Sequence, residues 1–327
     1  MDAVLSTLVD DRLGPGPVSG DFIKQCAGYT ESSGGVAFRE YRRAVEAVFD
    51  ALEIGGDSSI IISPLAPRVY HDVIAERGVT PLYADVDTHT GCIAKSAVEK
   101  LLENQPAACL VDSPAGFVAD LNSLSELKIP LIEDITTNLG GNSLGRKCGS
   151  FGRFVIASLE ERNVITAGGG AFALGRTKRD VGILKKAVEA FDGTYFLPDL
   201  NAALASIQLR HIEDFISRRR DIAAAYSRSL AKGRHRTFIQ DEESENVYYT
   251  FPVVFDGGVN DVMKYARNKR VMVEKAFENT CAFWSTSDVT TCPNANALYL
   301  RCVFFPLYPL LSSEQIERVA RVLSTLP

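Results

Sequence analysis

The stretch Leu131–Gly170 decides the reading of this chain: LIEDITTNLGGNSLGRKCGSFG over residues 131–152, then RFVIASLEERNVITAGGG over 153–170. Its first residues, Leu131-Ile132-Glu133-Asp134, follow Pro130 as a short apolar run ending on two carboxylates. Such a run reads as a buried strand. In an open α/β sheet, ligands bind beyond the carboxyl ends of the strands, which makes Asp134 a candidate ligand contact. A helix N-cap or a purely structural Asp is the alternative. A glycine-rich segment leads to a second apolar run, Arg153–Leu159, and the stretch closes on the turn signal Gly168-Gly169-Gly170.

Outward from this core, helical and strand signals alternate through the first two thirds of the chain. That is the pattern of a mostly parallel sheet with helices on both faces. Residues 38–53, FREYRRAVEAVFDALE, space Ala44, Val45, Val48, Phe49 and Leu52 as a buried helical stripe. SSIIISP, TPLYADVD, AACLVDSP, IPLIED, RFVIASL and GAFALG are strand candidates; VYHDVIAERG and AKSAVEKLLEN are helices. Residues 199–231 read as one long amphipathic helical stretch joining a large α/β domain, 1–210, to a small α+β domain, 211–327. In the latter, VYYTFPVVF, VNDVMKYARNK, the run through ALYLRCVFFPL and SSEQIERVARVLSTL read as strand, helix, strand, helix.

Composition narrows the function classes. With 327 residues, 46% hydrophobic and 23% charged, the chain has ample length for a full core. A net charge of −6 argues against nucleic acid, whose binders carry a basic face. The one basic cluster, Arg218-Arg219-Arg220, reads as a solvated helix face rather than an anion site. No apolar run reaches the ~18 residues of a membrane helix. MDAVLSTLVDDRLG at the start lacks a basic leader, so the expected location is cytoplasmic. Seven cysteines contain no C-x-x-C pair, and four histidines lie far apart, so neither a metal site nor a disulfide framework is expected.

The stretch 131–170 resembles the cofactor core of the DegT/DnrJ/EryC1/StrS family: fold-type-I, pyridoxal-phosphate (PLP) aminotransferases that mostly act on nucleotide-linked keto-sugars. There an "IED" strand end precedes "G.k.GsfG", "SF...K" and a "GEGG" turn. The likeness continues in GVTPLYADVDTHTGCIAKSAVEKLL, in NAALASIQLRHIEDFISRRRDIAAAY and in CPNANALYLRCVFFPLYPLLSSEQIERV. It implies a fold-type-I aminotransferase-like large domain with a mostly parallel sheet, a small C-terminal α+β domain, and a homodimer with the cofactor site at the subunit boundary.

The resemblance also assigns site positions. Asp134 matches the carboxylate on the pyridine nitrogen, and Ser158 a serine that bonds the phosphate. The Schiff-base lysine falls on Asn163 counted from the left and on Arg162 counted back from the glycines. A guanidinium stays protonated and a carboxamide is no amine, so neither forms the aldimine. The phosphate-binding "SGT" turn aligns near Glu40-Tyr41-Arg42. The ring-stacking aromatic falls on Pro67, the His or Gln after "ED" on Thr137, and the Asn reaching across the dimer on Thr194. Lys147 matches a non-catalytic lysine, and Lys178, Lys185 and Lys186 read as surface residues.

Two expectations follow. The favoured one is a non-transaminating relative without covalent PLP, with a sugar-nucleotide ligand or an active partner. The other is an active PLP- or pyridoxamine-phosphate (PMP)-dependent aminotransferase or dehydratase on a nucleotide-linked keto-sugar, holding its cofactor through Asp134, Ser158 and an unrecognised lysine.

Overall fold

The computed structural model describes residues 2–9, 13–281 and 291–327; residues 10–12 of the acidic N-terminal stretch lie outside that description. In the large sheet, β1 (Gly34–Phe38), β2 (Ser59–Ile62), β3 (Thr80–Tyr83), β4 (Ala108–Val111) and β5 (Leu131–Asp134) come first along the chain. After a small hairpin, β6 (Asn142–Ser143) and β7 (Arg146–Lys147), come β8 (Phe154–Ser158) and β9 (Ala171–Gly175). The order across the sheet is β1-β9-β8-β5-β4-β2-β3. Strands β3, β2, β4, β5 and β8 run parallel, and β9 pairs antiparallel with β8 on one side and with β1 on the other. The expected fold class, α/β with a mostly parallel sheet, is the observed one.

Side chains alternate faces along each strand, and two cores form on the two faces of the sheet. Cys109, Val111, Leu131 and Val155 point into one; Ala108, Leu110, Ile132 and Ile156 into the other. The predicted helix over 38–53 is observed as Tyr41–Ala51, with Ala44, Val45, Val48 and Phe49 fully buried against the second core. Burying Val45, Val48 and Phe49 contributes roughly 1.5–3 kcal/mol each.

A second sheet, antiparallel and ordered β10-β12-β14-β13, lies near the C-terminus. Its strands are β10 (Arg236–Thr237), β12 (Phe251–Val254), β13 (Glu274–Lys275) and β14 (Cys302–Phe305); β11 (Ser244–Glu245) joins the hairpin β6/β7 instead. A third core from Ile222 to Leu323 fills the space between this sheet and helices Ile212–Leu230 and Ser313–Leu323. Phe238, Val247, Phe277 and Leu298 pack into the first core of the large sheet.

Three local expectations change. The stretch 199–231 is two helices, Asp199–Arg210 and Ile212–Leu230, broken at His211. ALYLR is helical, not strand: Pro293, whose fixed φ suits a first helical residue, starts a helix Pro293–Arg301, and β14 begins only at Cys302. Of the arginine cluster, Arg219 is buried, not solvated, and its Nη1 donates to the carbonyls of Tyr248 (3.2 Å), Tyr249 (2.8 Å) and Leu307 (3.0 Å). The helix turns it inward because the loops from the C-terminal sheet bring those carbonyls to its inner face. All seven cysteines are buried.

Candidate functional site

Strand alternation sends the two carboxylates of the Leu131–Asp134 strand to opposite sides. Glu133 faces the glycine-rich loop that follows and accepts the backbone N–H groups of Gly149 (2.7 Å), Phe151 (2.6 Å) and Gly152. It is 1% exposed and holds that loop against the sheet. Burial raises its pKa, and the three backbone donors oppose the rise.

Asp134 faces the other way, at the carboxyl end of β5, and is 3% exposed. Its Oδ1 accepts the Thr136 N–H at 2.9 Å. Its Oδ2 accepts two phenol hydroxyls, Tyr70 at 2.7 Å and Tyr41. Tyr41 is the first residue of the helix Tyr41–Ala51, and Tyr70 is the third residue of the helix Arg68–Glu76. The two rings meet edge to face, with centroids 6.1 Å apart. Burial first, and the Asp134 charge second, push both phenol pKa values up, so both hydroxyls stay protonated and act as donors.

The neighbouring strand ends on a third carboxylate. Val111 pairs with Glu133 in the parallel ladder, so Asp112 falls one step further along, beside Asp134 and on the same face. Asp112 is 4% exposed and its Oδ1 has no hydrogen-bond partner. Burial, and then the charge on Asp134, push its pKa up to about 7. Close by, Asn138 donates to Ser113 Oγ at 2.6 Å, and its own Oδ1 is buried without a partner.

Ser158 ends β8, next to β5. Its N–H donates to Thr136 Oγ1 (2.9 Å), and its Oγ accepts the Asn163 side-chain amide (2.9 Å). The two ways of counting the lysine position thus separate in space. Asn163 turns inward to Ser158, whereas Arg162 points to solvent and pairs with Glu274 at 2.8 Å, with 77% and 66% of the two side chains exposed. Asp134, Tyr41, Ser158 and Asn163 therefore come together around Thr136 at the carboxyl ends of β5 and β8.

The other predicted positions lie around this centre. Pro67 begins the helix Arg68–Glu76 and pairs across a bridge with Thr280. Cys281 N–H reaches Ala66 O at 2.9 Å, and Arg68 N–H reaches Asn279 O at 3.2 Å. Thr137 donates its hydroxyl to Ser113 O. Thr194 is exposed on the turn Gly193–Tyr195, its N–H on Asp192 Oδ1 at 2.8 Å. Arg42 is tied to Glu46 (2.8 Å) and Glu76, and Arg43 to Glu46 (2.6 Å) and the Tyr195 ring face (4.3 Å). Glu46 thus answers both arginines of this turn. Lys147 pairs with Glu213 at 2.8 Å and reaches the Tyr29 hydroxyl at 3.3 Å. Among the described residues, no group of three or more His, Cys, Asp and Glu side chains could hold a metal ion.

Sequence reading missed Tyr70, Asp112 and Asn138. Tyr70 carried no signal beyond its place in an amphipathic helix. Asp112 did: it ends the apolar run AACLV as Asp134 ends PLIE, and adjacent parallel strands put equivalent ends side by side.

This sheet order, with a carboxylate at the strand end and a serine beside it, defines a fold-type-I aminotransferase-like protein. The profile of the DegT/DnrJ/EryC1/StrS aminotransferase family matches residues 1–324, and the chain belongs to that family. GDP-perosamine synthase of Escherichia coli O157:H7 is 24% identical over 291 residues, covering 81% of this chain and 78% of that protein. The aminotransferase TlmJ of Streptoalloteichus hindustanus superimposes with a TM-score of 0.90 at 22% identity, covering 98% of this chain and 94% of that one. DesV of S. venezuelae, solved with a ketimine intermediate, gives 0.89 at 18% identity, over 99% and 92% of the two chains. At these identities the two superpositions establish the fold.

Proposed function

We propose that this chain is a non-transaminating member of its family, which forms no Schiff base with PLP and serves as a binding protein for a nucleotide-linked sugar. One observation carries the reading: the lysine position that faces the site holds Asn163, whose amide is committed to Ser158 Oγ at 2.9 Å. PLP, when bound in this fold, supplies an electron sink that a lysine amine must load and release. The residues present do not fit that group. Asp134 Oδ2 already accepts two phenols, and the exposed carboxylate of Glu40 stands before the helix whose free N–H groups would meet a phosphate. Lys147, which matches a non-catalytic lysine of the family, is paired with Glu213.

The sugar-nucleotide part of the reading is supported by the relative named for GDP-perosamine, a nucleotide-linked sugar. A homodimer is proposed on family grounds. A cytoplasmic location is proposed on the buried, scattered cysteines, which form no C-x-x-C pair and suit a reducing compartment.

The test is titration of the purified chain with PLP, borohydride reduction and intact mass. The expected result is no aldimine absorption and no pyridoxyl adduct. Transaminase turnover by the pure protein, or an adduct on one specific lysine, refutes the reading.

A further inference from the structure

The loss of a lysine leaves a site empty of its covalent hook but still open to a cofactor held by other contacts. This chain goes further. Resting on the non-transaminating reading, we propose that Tyr41 is a built-in occupant of the cofactor's place: its ring lies where the pyridine would lie and its hydroxyl takes the bond on Asp134.

The geometry behind this is a matter of two ends. Tyr41 is rooted at the turn that aligns with the phosphate-binding "SGT", at the first residue of the helix Tyr41–Ala51. Its hydroxyl terminates on Asp134 Oδ2, the carboxylate that aligns with the pyridine-nitrogen partner. One side chain therefore runs from the phosphate end of the site to the ring-nitrogen end. A protonated phenol offers Asp134 what a pyridinium offers, a single donor on a flat aromatic ring. Burial holds the phenol in that protonated form.

The arrangement is completed on every side. The Tyr70 hydroxyl, at 2.7 Å, and the Thr136 N–H, at 2.9 Å, satisfy the rest of the carboxylate. Tyr70 also receives the Tyr41 ring edge to face. With its donors in place Asp134 is a satisfied buried group, and swinging Tyr41 out would remove one of its three donors. The helix root leaves the side chain no route away from the site without breaking that bond. The phosphate turn and the ring seat are thus closed by the same residue, independently of position 163.

The two ideas predict different variants. If only the amine is missing, N163K together with a repaired phosphate turn restores an adduct. If Tyr41 fills the seat, it does not. The experiment compares full-length E40S/R42T/N163K, which keeps Tyr41, with E40S/Y41G/R42T/N163K, which restores Ser-Gly-Thr in full. Each is incubated with PLP, reduced with borohydride and digested to locate pyridoxyl-lysine, with thermal unfolding as a check on folding. The expected result is labelling at position 163 only when Tyr41 is gone. Equal labelling of the two variants, or labelling of neither when both are folded, overturns the proposal. Should the fourfold variant fail to fold, Y41G in the native background is titrated with PMP by fluorescence. Binding at least roughly tenfold tighter than wild type supports the proposal, and unchanged binding overturns it. A lysine adduct on the wild-type chain would instead refute the non-transaminating reading, so the two failures are distinguishable.

Discussion

Asp112 gives the sharpest test of the electrostatics at the strand ends. The folded chain pushes this carboxyl from its ordinary 3.8 up to about 7, through burial and then through the charge on Asp134. A raised folded pKa means that ionised Asp112 opposes folding. Below about pH 4 the group is protonated both folded and unfolded and costs nothing. Between about pH 4 and 7 the unfolded chain releases the proton and the folded chain keeps it, so stability falls as pH rises. Above about pH 7 both forms are ionised and the penalty is constant. A tenfold change in proton affinity corresponds to about 1.4 kcal/mol, which places that plateau at about 4 kcal/mol. Asp112→Asn removes the titration while keeping the shape. Urea unfolding of wild type and D112N at pH 5 and pH 8 reads the difference. The variant should gain on wild type by about 3 kcal/mol on going from the lower pH to the higher. Whatever the amide costs by itself cancels in that comparison. An identical gap at the two pH values would refute the placement of a buried carboxylate beside Asp134.

Other outcomes follow from single contacts. Glu133→Ala leaves three buried N–H groups without an acceptor, and should cost at least about 3 kcal/mol in urea unfolding. Tyr70→Phe removes one donor from Asp134 and keeps the ring, so a loss of about 1.5–3 kcal/mol is expected by the same measurement. Arg162→Ala breaks an ion pair exposed on both sides, and its melting curve should shift by no more than the effect of about 1 kcal/mol. Arg219→Met removes the donor that three carbonyls share. A loss of about 2–4 kcal/mol is expected, because those acceptors are left in the interior.

The sheet was legible because its strands are buried on both faces and read as continuous apolar runs; SSIIISP, AACLVDSP and RFVIASL all became central strands. The edge strand β1 was not. GGVAF has too little side chain to show a pattern, and Gly35 is needed there because a Cβ would run into the backbone carbonyl of Ala173. The break at His211 was also hidden, since the residues on either side of it are good helix formers with continuous polarity. Asp134 and Ser158 could be nominated by matching motif positions, because each is fixed by the end of a strand. The choice between Arg162 and Asn163 could not, because the loop after β8 differs in length from the family pattern and only its three-dimensional path separates an inward residue from an outward one. Tyr70 was out of reach for a different reason. Its bond to Asp134 spans 64 residues, and nothing local distinguishes it from an ordinary buried aromatic.

The grip of Glu133 on the loop Gly149–Gly152 has a consequence for how such chains are recognised. That carboxylate spends its hydrogen bonds on backbone alone, and it would be required whether or not anything ever bound on the opposite face of the strand. Half of the "IED" signature is therefore a clasp, and only the other half borders the chemistry. The same holds for the glycines that follow, which are shaped to be clasped. The badge is thus stitched into the fold, and it identifies the scaffold before it says anything of the chemistry.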